Sequence, residues 1–202
     1  MRHESLTTVI STLRGLFTVV LGLALGEAYK QIVADRAEDE TGKPGIRWES
    51  TWSLIAFLSL FFPFVQGMNM FLETTYDPKT VSQNYGGSLL FDVCVFTVEA
   101  SVFFVMSRAL KPAQCRRFYG AVLAILATDT VWGLVTVYQR HLEFVKFWLA
   151  SNGVFLLVLG LLLLVYRKSE QDKELTRIGC ILLILRACVD YASSWSQYFP
   201  PP

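Results

Sequence analysis

Residues 178–197 read IGCILLILRACVDYASSWSQ, and this stretch decides the kind of fold open to the chain. Its length and its leucine, isoleucine and valine content suit a helix that crosses hydrocarbon. Yet Arg186 and Asp190 stand one helical turn apart in its middle, where an ionised side chain is costly unless it faces protein or water. Such a pair needs polar neighbours at the same depth. Other apolar runs supply them: Arg14, Gln66, Asn69, Asp92, Glu99, Asp129 and Asn152. The expectation is an all-α, polytopic integral membrane bundle whose polar residues turn inward.

Composition points the same way. Of 202 residues, 53% are hydrophobic and 17% charged, with a mean hydropathy of +0.42, which places the chain in the membrane class. Windows of about 20 apolar residues recur along it, each long enough to span the bilayer core, and no window remains for a water-soluble domain. A net charge of +1 gives nucleic-acid binding no electrostatic support. Cys94, Cys115, Cys180 and Cys188 lack CxxC spacing and read as packing residues. The first apolar run lacks a basic leader and cleavage site and reads as a retained helix.

About six transmembrane helices with short loops are expected, over residues 7–34, 51–72, 88–109, 118–138, 144–166 and 178–197. In the first, Gly15, Thr18, Gly22 and Gly26 form a small-residue stripe of the kind that lets two helices approach closely. Gly15, Gly22 and Gly26 are the candidate face for a homo-oligomer. Arg14 lies beside the stripe, suited either to the interior or to the membrane surface. The stretch from Asp35 to Ser50 mixes charges around a Gly-Lys-Pro-Gly turn and reads as a solvated loop. In the second helix Ser59, Pro63, Gln66, Asn69 and Glu73 follow one side. Pro63 cannot donate to the Ser59 carbonyl, which leaves a free acceptor.

The third helix carries the strongest single signal: Ser88, Asp92 and Glu99 share a face, and two carboxylates on one stripe oblige that face to turn inward. Asp129 sits near the centre of the fourth helix. Asn152 is expected to make an interhelical hydrogen bond from the fifth. In the last helix Gly179, Arg186, Asp190, Ser193 and Gln197 are read as one face. Six crossings put the loops after helices one, three and five on one side with twelve basic residues, against four on the other. That imbalance predicts both termini outside the cytoplasm, in a plasma or inner membrane.

Depth along the helices then places Gln66, Asn69, Asp92 and Asn152 in the outer half, with Arg14 either there or at the membrane surface, and Glu99, Asp129 and Arg186 near the midplane with Asp190 just beyond. The expected picture is a polar vestibule open to the outside and closing on a charged belt. Acids outnumber arginines in that belt, so protons or a cation must complete the charge balance.

The chain shows no haem, zinc or other metal-ligand set, no nucleophile elbow, no phosphate loop and no dinucleotide fingerprint. It is therefore expected not to be an enzyme and to need no cofactor. A potassium-filter reading of Asn84-Tyr85-Gly86-Gly87 fails because the TVGYG pattern is absent. An aspartyl-protease reading of Asp92 and Asp129 fails for want of a glycine-rich approach.

The leading functional expectation is a channel or secondary carrier for a small cation or proton. Glu99, Asp129 and Asp190 would titrate or coordinate, Arg186 would serve as counter-charge, and Asp92 would stand at the mouth. Two alternatives are a structural or assembly subunit whose buried charges only fix helix packing, and a sensor binding a small or lipidic ligand. The sensor would use Gln66, Asn69 and Asp92 with the aromatic residues Phe61, Phe62, Phe64 and Trp132. Membrane lipids are the expected surroundings in every case.

Overall fold

The computed structural model describes residues 2–37, 48–77, 86–142 and 145–199. Most of the charged loop after Asp35 and the Asn84-Tyr85 turn lie outside them. Among the described residues there are six α-helices and no strand: α1 (Arg2–Ala37), α2 (Trp48–Thr75), α3 (Gly86–Ser107), α4 (Cys115–Arg140), α5 (Lys146–Val165) and α6 (Asp172–Tyr198). The helices match the expected apolar runs and outgrow several of them. α6 begins six residues before the expected start at 178, because a short 3-10 turn at Ser169–Gln171 leads straight into it and Asp172 and Glu174 occupy its first turn, where negative charge complements the helix dipole. At its other end α4 closes through His141, whose φ of 56° lies in the left-handed region, and the Leu142 N–H returns to the Thr136 carbonyl at 3.3 Å.

Five of the helices are long and apolar enough to cross a membrane: Leu6–Ile32, Ser50–Thr75, Gly86–Ser107, Cys115–Arg140 and Lys146–Val165. The sixth, α6, carries Arg177, Arg186 and Asp190 along its length. It nevertheless runs beside apolar α2 from end to end. Cys180 meets the Ala56 backbone near one end, and Tyr198 meets Gly67 and Gln66 near the other.

Neighbouring helices form a closed ring in the order α1, α3, α4, α5, α6, α2, with α4 also touching α6 across it. The large apolar side chains that remain exposed, among them Leu16, Leu23, Val98, Val131, Leu157, Leu161, Leu164 and Leu185, sit on the outside of that ring. An outer surface of this kind suits lipid. Gly15, Gly22 and Gly26 lie on it too, and a Cβ at any of them would meet nothing within 4 Å.

Inside the ring, one side is aromatic. Phe64 and Phe103 lie 4.8 Å apart between ring centres and Phe71 and Trp132 also 4.8 Å, while Phe17 and Phe96 complete the set at 6.1 Å. Edge-to-face pairs among these rings tie α1, α2, α3 and α4 together. The other side, against α4, α5 and α6, receives the polar residues.

At the end where α5 turns into α6, Arg116 of α4 holds the turn. Its guanidinium donates to the carbonyls of Tyr166 at 2.8 Å and Lys168 at 2.6 Å and pairs with Asp172 at 2.8 Å. One turn deeper, fully buried Tyr119 donates to the Thr176 carbonyl at 2.8 Å. Its ring lies against Gly179 so closely that a Cβ there would come within 2.4 Å of it. Gly179→Ala is therefore expected to lower stability by about 1–3 kcal/mol through overpacking, read as an earlier unfolding midpoint in detergent, while Gly22→Ala leaves the midpoint in place.

Candidate functional site

The α3 face that carries Asp92, Phe96, Glu99 and Phe103 is buried, and its two carboxyls meet different surroundings. Asp92 has no exposed surface. It accepts from Trp132 Nε1 at 2.9 Å, from Arg140 Nη1 at 2.8 and 2.9 Å, and from the Tyr76 hydroxyl. Arg140 donates further to the Ser88 carbonyl at 3.1 Å and lies over the Phe91 ring. Asp92 is thus a paired clamp that joins α3, α4 and the end of α2. The expectation that it stands open at a mouth gives way to this closed set, because Arg140 in the last turn of α4 folds back over it. Burial and the Asp92 carboxylate together hold the Tyr76 phenol protonated far above its ordinary range.

Two turns deeper, Glu99 is also fully buried, yet among the described residues neither carboxylate oxygen meets a donor. The group it faces is another carboxyl, that of Asp129 on α4. Two carboxyls in such contact are joined only when a proton lies between them. Asp129 in turn accepts from Asn152 Nδ2 at 3.2 Å, and Asn152 Oδ1 accepts from Arg186 Nη2 at 2.6 Å. Asn152 thereby links α4, α5 and α6. Arg186 faces Glu99, Asp129 and Asp190 electrostatically, and its Nε has no acceptor. Asp190 accepts from the Tyr198 hydroxyl at 3.1 Å, while Trp148 donates to Ser194 at 3.1 Å and stacks on Tyr198. Asp129, Asn152, Arg186 and Asp190 border a cavity of about 50 Å³ that Phe96, Trp132, Trp148 and Tyr198 help to enclose. That is room for a small number of waters.

Gln66 and Asn69 belong elsewhere. With Ser59, Phe62, Glu73 and Tyr191 they line a groove of about 940 Å³ on the flank of the bundle, formed by α2 and α6 alone. Asn69 accepts from Arg14 Nε at 3.1 Å, and Arg14 pairs with Glu73 at 3.3 Å. The single outward vestibule expected from the sequence is therefore divided in three: a closed clamp at Asp92, an interior cluster of Glu99, Asp129, Arg186 and Asp190, and a lateral groove at Gln66 and Asn69. Of the aromatic residues assigned to a ligand pocket, Phe61 is buried in the core and Phe62 is exposed to the groove. Phe64 and Trp132 line the interior cavity.

Several partners had gone unread. On α6 the buried face continues from Asp190 to Ser194 and Tyr198, each four residues on, whereas Ser193 is exposed and bonds back to the Val189 carbonyl. The four-residue period was the available signal for Tyr198. No sequence signal pointed to Arg140 or Tyr76, which reach Asp92 only through tertiary folding. Among the described residues no three His, Cys, Asp or Glu side chains are grouped to hold a metal ion. No protein-family model, no curated protein and no solved structure matches this chain.

Removing one partner from the Asp92 set strands a buried charge, so Arg140→Leu is expected to cost about 3–5 kcal/mol in denaturant unfolding. The Tyr76 phenol, with an ordinary value of 10.0, adds stability that is whole below pH 10 and is lost as pH rises above it, when only the unfolded chain ionises there. Tyr76→Phe, which takes one donor from Asp92, should lower stability at pH 7, and denaturant unfolding from pH 7 to 11 should show a smaller further loss above pH 10 in that variant than in the parent.

Proposed function

We propose that this chain is a small membrane transport protein, a channel or secondary carrier that passes protons or a small cation through its interior acid cluster. The observation that carries this reading is Glu99, buried completely with both oxygens lacking a donor and facing Asp129. A side chain kept only to fix helix register would be served by partners of the kind Asp92 has. Glu99 is instead held where it exchanges a proton with its neighbour. Three carboxyls, Glu99, Asp129 and Asp190, share the single guanidinium of Arg186. If all ionised, they would leave two negative charges in a medium that does not tolerate them, so protons or a bound cation supply the balance. Asn152 and the cavity beside it connect Asp129 to Arg186 and Asp190, so the cluster spans α3, α4, α5 and α6.

The orientation that goes with this reading places both termini outside the cytoplasm, from the twelve basic residues on one side against four on the other. The Asp92 clamp and the Arg14–Glu73 pair then mark the outer end, and the Arg116–Asp172 pair marks the cytoplasmic end.

In proteoliposomes under an imposed pH gradient, the parent chain should carry protons faster than empty vesicles. Glu99→Gln and Asp129→Asn should each cut that flux by roughly tenfold or more, the scale at which a positioned proton-transfer group contributes. Full flux in both variants, with reconstitution verified, would remove the reading.

A further inference from the structure

The lateral groove and the interior cavity are separate spaces with a common wall. Pro63 and Tyr198 line both. The Tyr198 ring stands in the partition, packed against Trp148 and Tyr191 at 6.4 and 5.4 Å between centres. Its hydroxyl bonds to Asp190 on the interior side. Gly67 makes room for it, since a Cβ there would already touch the hydroxyl at 3.4 Å. Between Asp190 and Tyr198, α6 departs from helical geometry at Ser194, with φ −106° and ψ 15°. The turn that carries Tyr198 thus follows a break from the turn that carries Asp190.

The groove's chemistry selects an occupant. About 940 Å³ lies within the range of small-molecule sites, and the space opens on the flank of the bundle, between two helices, at the depth of the apolar span of α2. Ile55, Leu58, Phe62, Val65 and Met70 offer an apolar bed, suited to a ligand that arrives from lipid. Tyr191 and Tyr198 add aromatic faces, which attract cations. The charges fix the sign. Glu73 at one end is countered by Arg14, whereas behind Tyr198 the carboxyls of Asp190, Asp129 and Glu99 outnumber Arg186. An anionic amphiphile would add to that excess and a lipophilic cation would relieve it.

We propose that the groove between α2 and α6 binds a lipophilic organic cation drawn from the bilayer, with Asp190 as its counter-charge once the Tyr198 hydroxyl turns away. The inference rests on the reading of the acid cluster as a proton and cation site and names the cation's class. Charge balance requires that each cation bound beside Asp190 releases one proton from the cluster, so the same carboxyls serve proton and cation in exchange.

The test uses the full chain in lipid nanodiscs with tetraphenylphosphonium as probe. Saturable binding is expected by calorimetry, tightening as pH rises from 6 to 8, with about one proton released per cation in weakly buffered solution. Asp190→Asn should weaken binding by roughly tenfold or more and abolish the proton release, and Ala187→Trp, which fills the groove, should also weaken it. Dodecanol and laurate should displace the probe poorly. Displacement by either as effective as by a second lipophilic cation would show a simple acyl-chain site and overturn the proposal, as would binding without proton release in the parent chain, which needs no variant to fold. Proton flux with no saturable binding overturns this inference and leaves the proposed function standing. Binding at Asp190 without any proton flux does the reverse.

Discussion

One guanidinium shared among three carboxyls in a water-poor interior is the constraint around which the rest of the molecule is arranged. Arg186 and Asp190 oblige one face of α6 to avoid lipid, and the ring of helices is the arrangement that hides it: α2 and α5 flank α6, and α4 closes over it from across the bundle. The remaining helices are then free to put apolar side chains outward. α5 does so most fully, with Leu157, Leu161 and Leu164 exposed, while its Asn152 reaches inward to Arg186 and Asp129 and its Trp148 to Ser194. The buried charges thus add a second reason for that placement to the apolar packing of Leu175, Cys180 and Leu183, since an ionised face turned to lipid is costly.

The fold was legible because hydropathy is a property of runs of residues. Five apolar spans stand in the structure where their sequences placed them, and the α3 face of Asp92 and Glu99 turns inward as its spacing demanded. The site was legible only as a set of polar residues at similar depth. Depth along a helix axis does not specify which way around the bundle a residue points, so Gln66 and Asn69 were merged with Asp92 and Glu99 into one vestibule. The structure gives them to a different face. Arg140 was the costliest omission. Being near the end of α4 it looks like a loop residue, and only a side chain long enough to fold back brings its charge to Asp92. Tyr198 was missed for a related reason, since it lies past the apolar run at the end of α6, although its four-residue step from Ser194 continues the buried face.

The three polar groups that replace the single vestibule also differ in their exposure. The Arg14–Glu73 pair is open, with 37% and 69% of the two side chains exposed, and pairs of that kind contribute little to stability. The Asp92 set is sealed and costly to break. The interior cluster is largely buried, with Asp129 half-buried, and it is bordered by a space of water size and shares with the groove a wall made by Pro63 and Tyr198. The Tyr198 hydroxyl covers Asp190 at that wall, and the break in α6 at Ser194 falls between the two residues.

The contrast between Asp92 and Glu99 bears most directly on function. Both lie on the same face of the same helix, and both are fully buried. Around Asp92 the chain assembles an arginine, a tryptophan and a tyrosine, each donating to it. Around Glu99 it assembles a second carboxyl and an arginine whose nearest hydrogen bond goes to Asn152 instead. The incomplete environment of Glu99 is thus not a general failure of this bundle to satisfy buried charge, since two turns away on the same helix the same bundle does so in full. A buried polar atom without a partner costs on the order of 1–3 kcal/mol, more when charged. The bundle thus treats Glu99, set beside Asp129 and near a cavity of water size, differently from Asp92, and the proposed transport role rests on that difference.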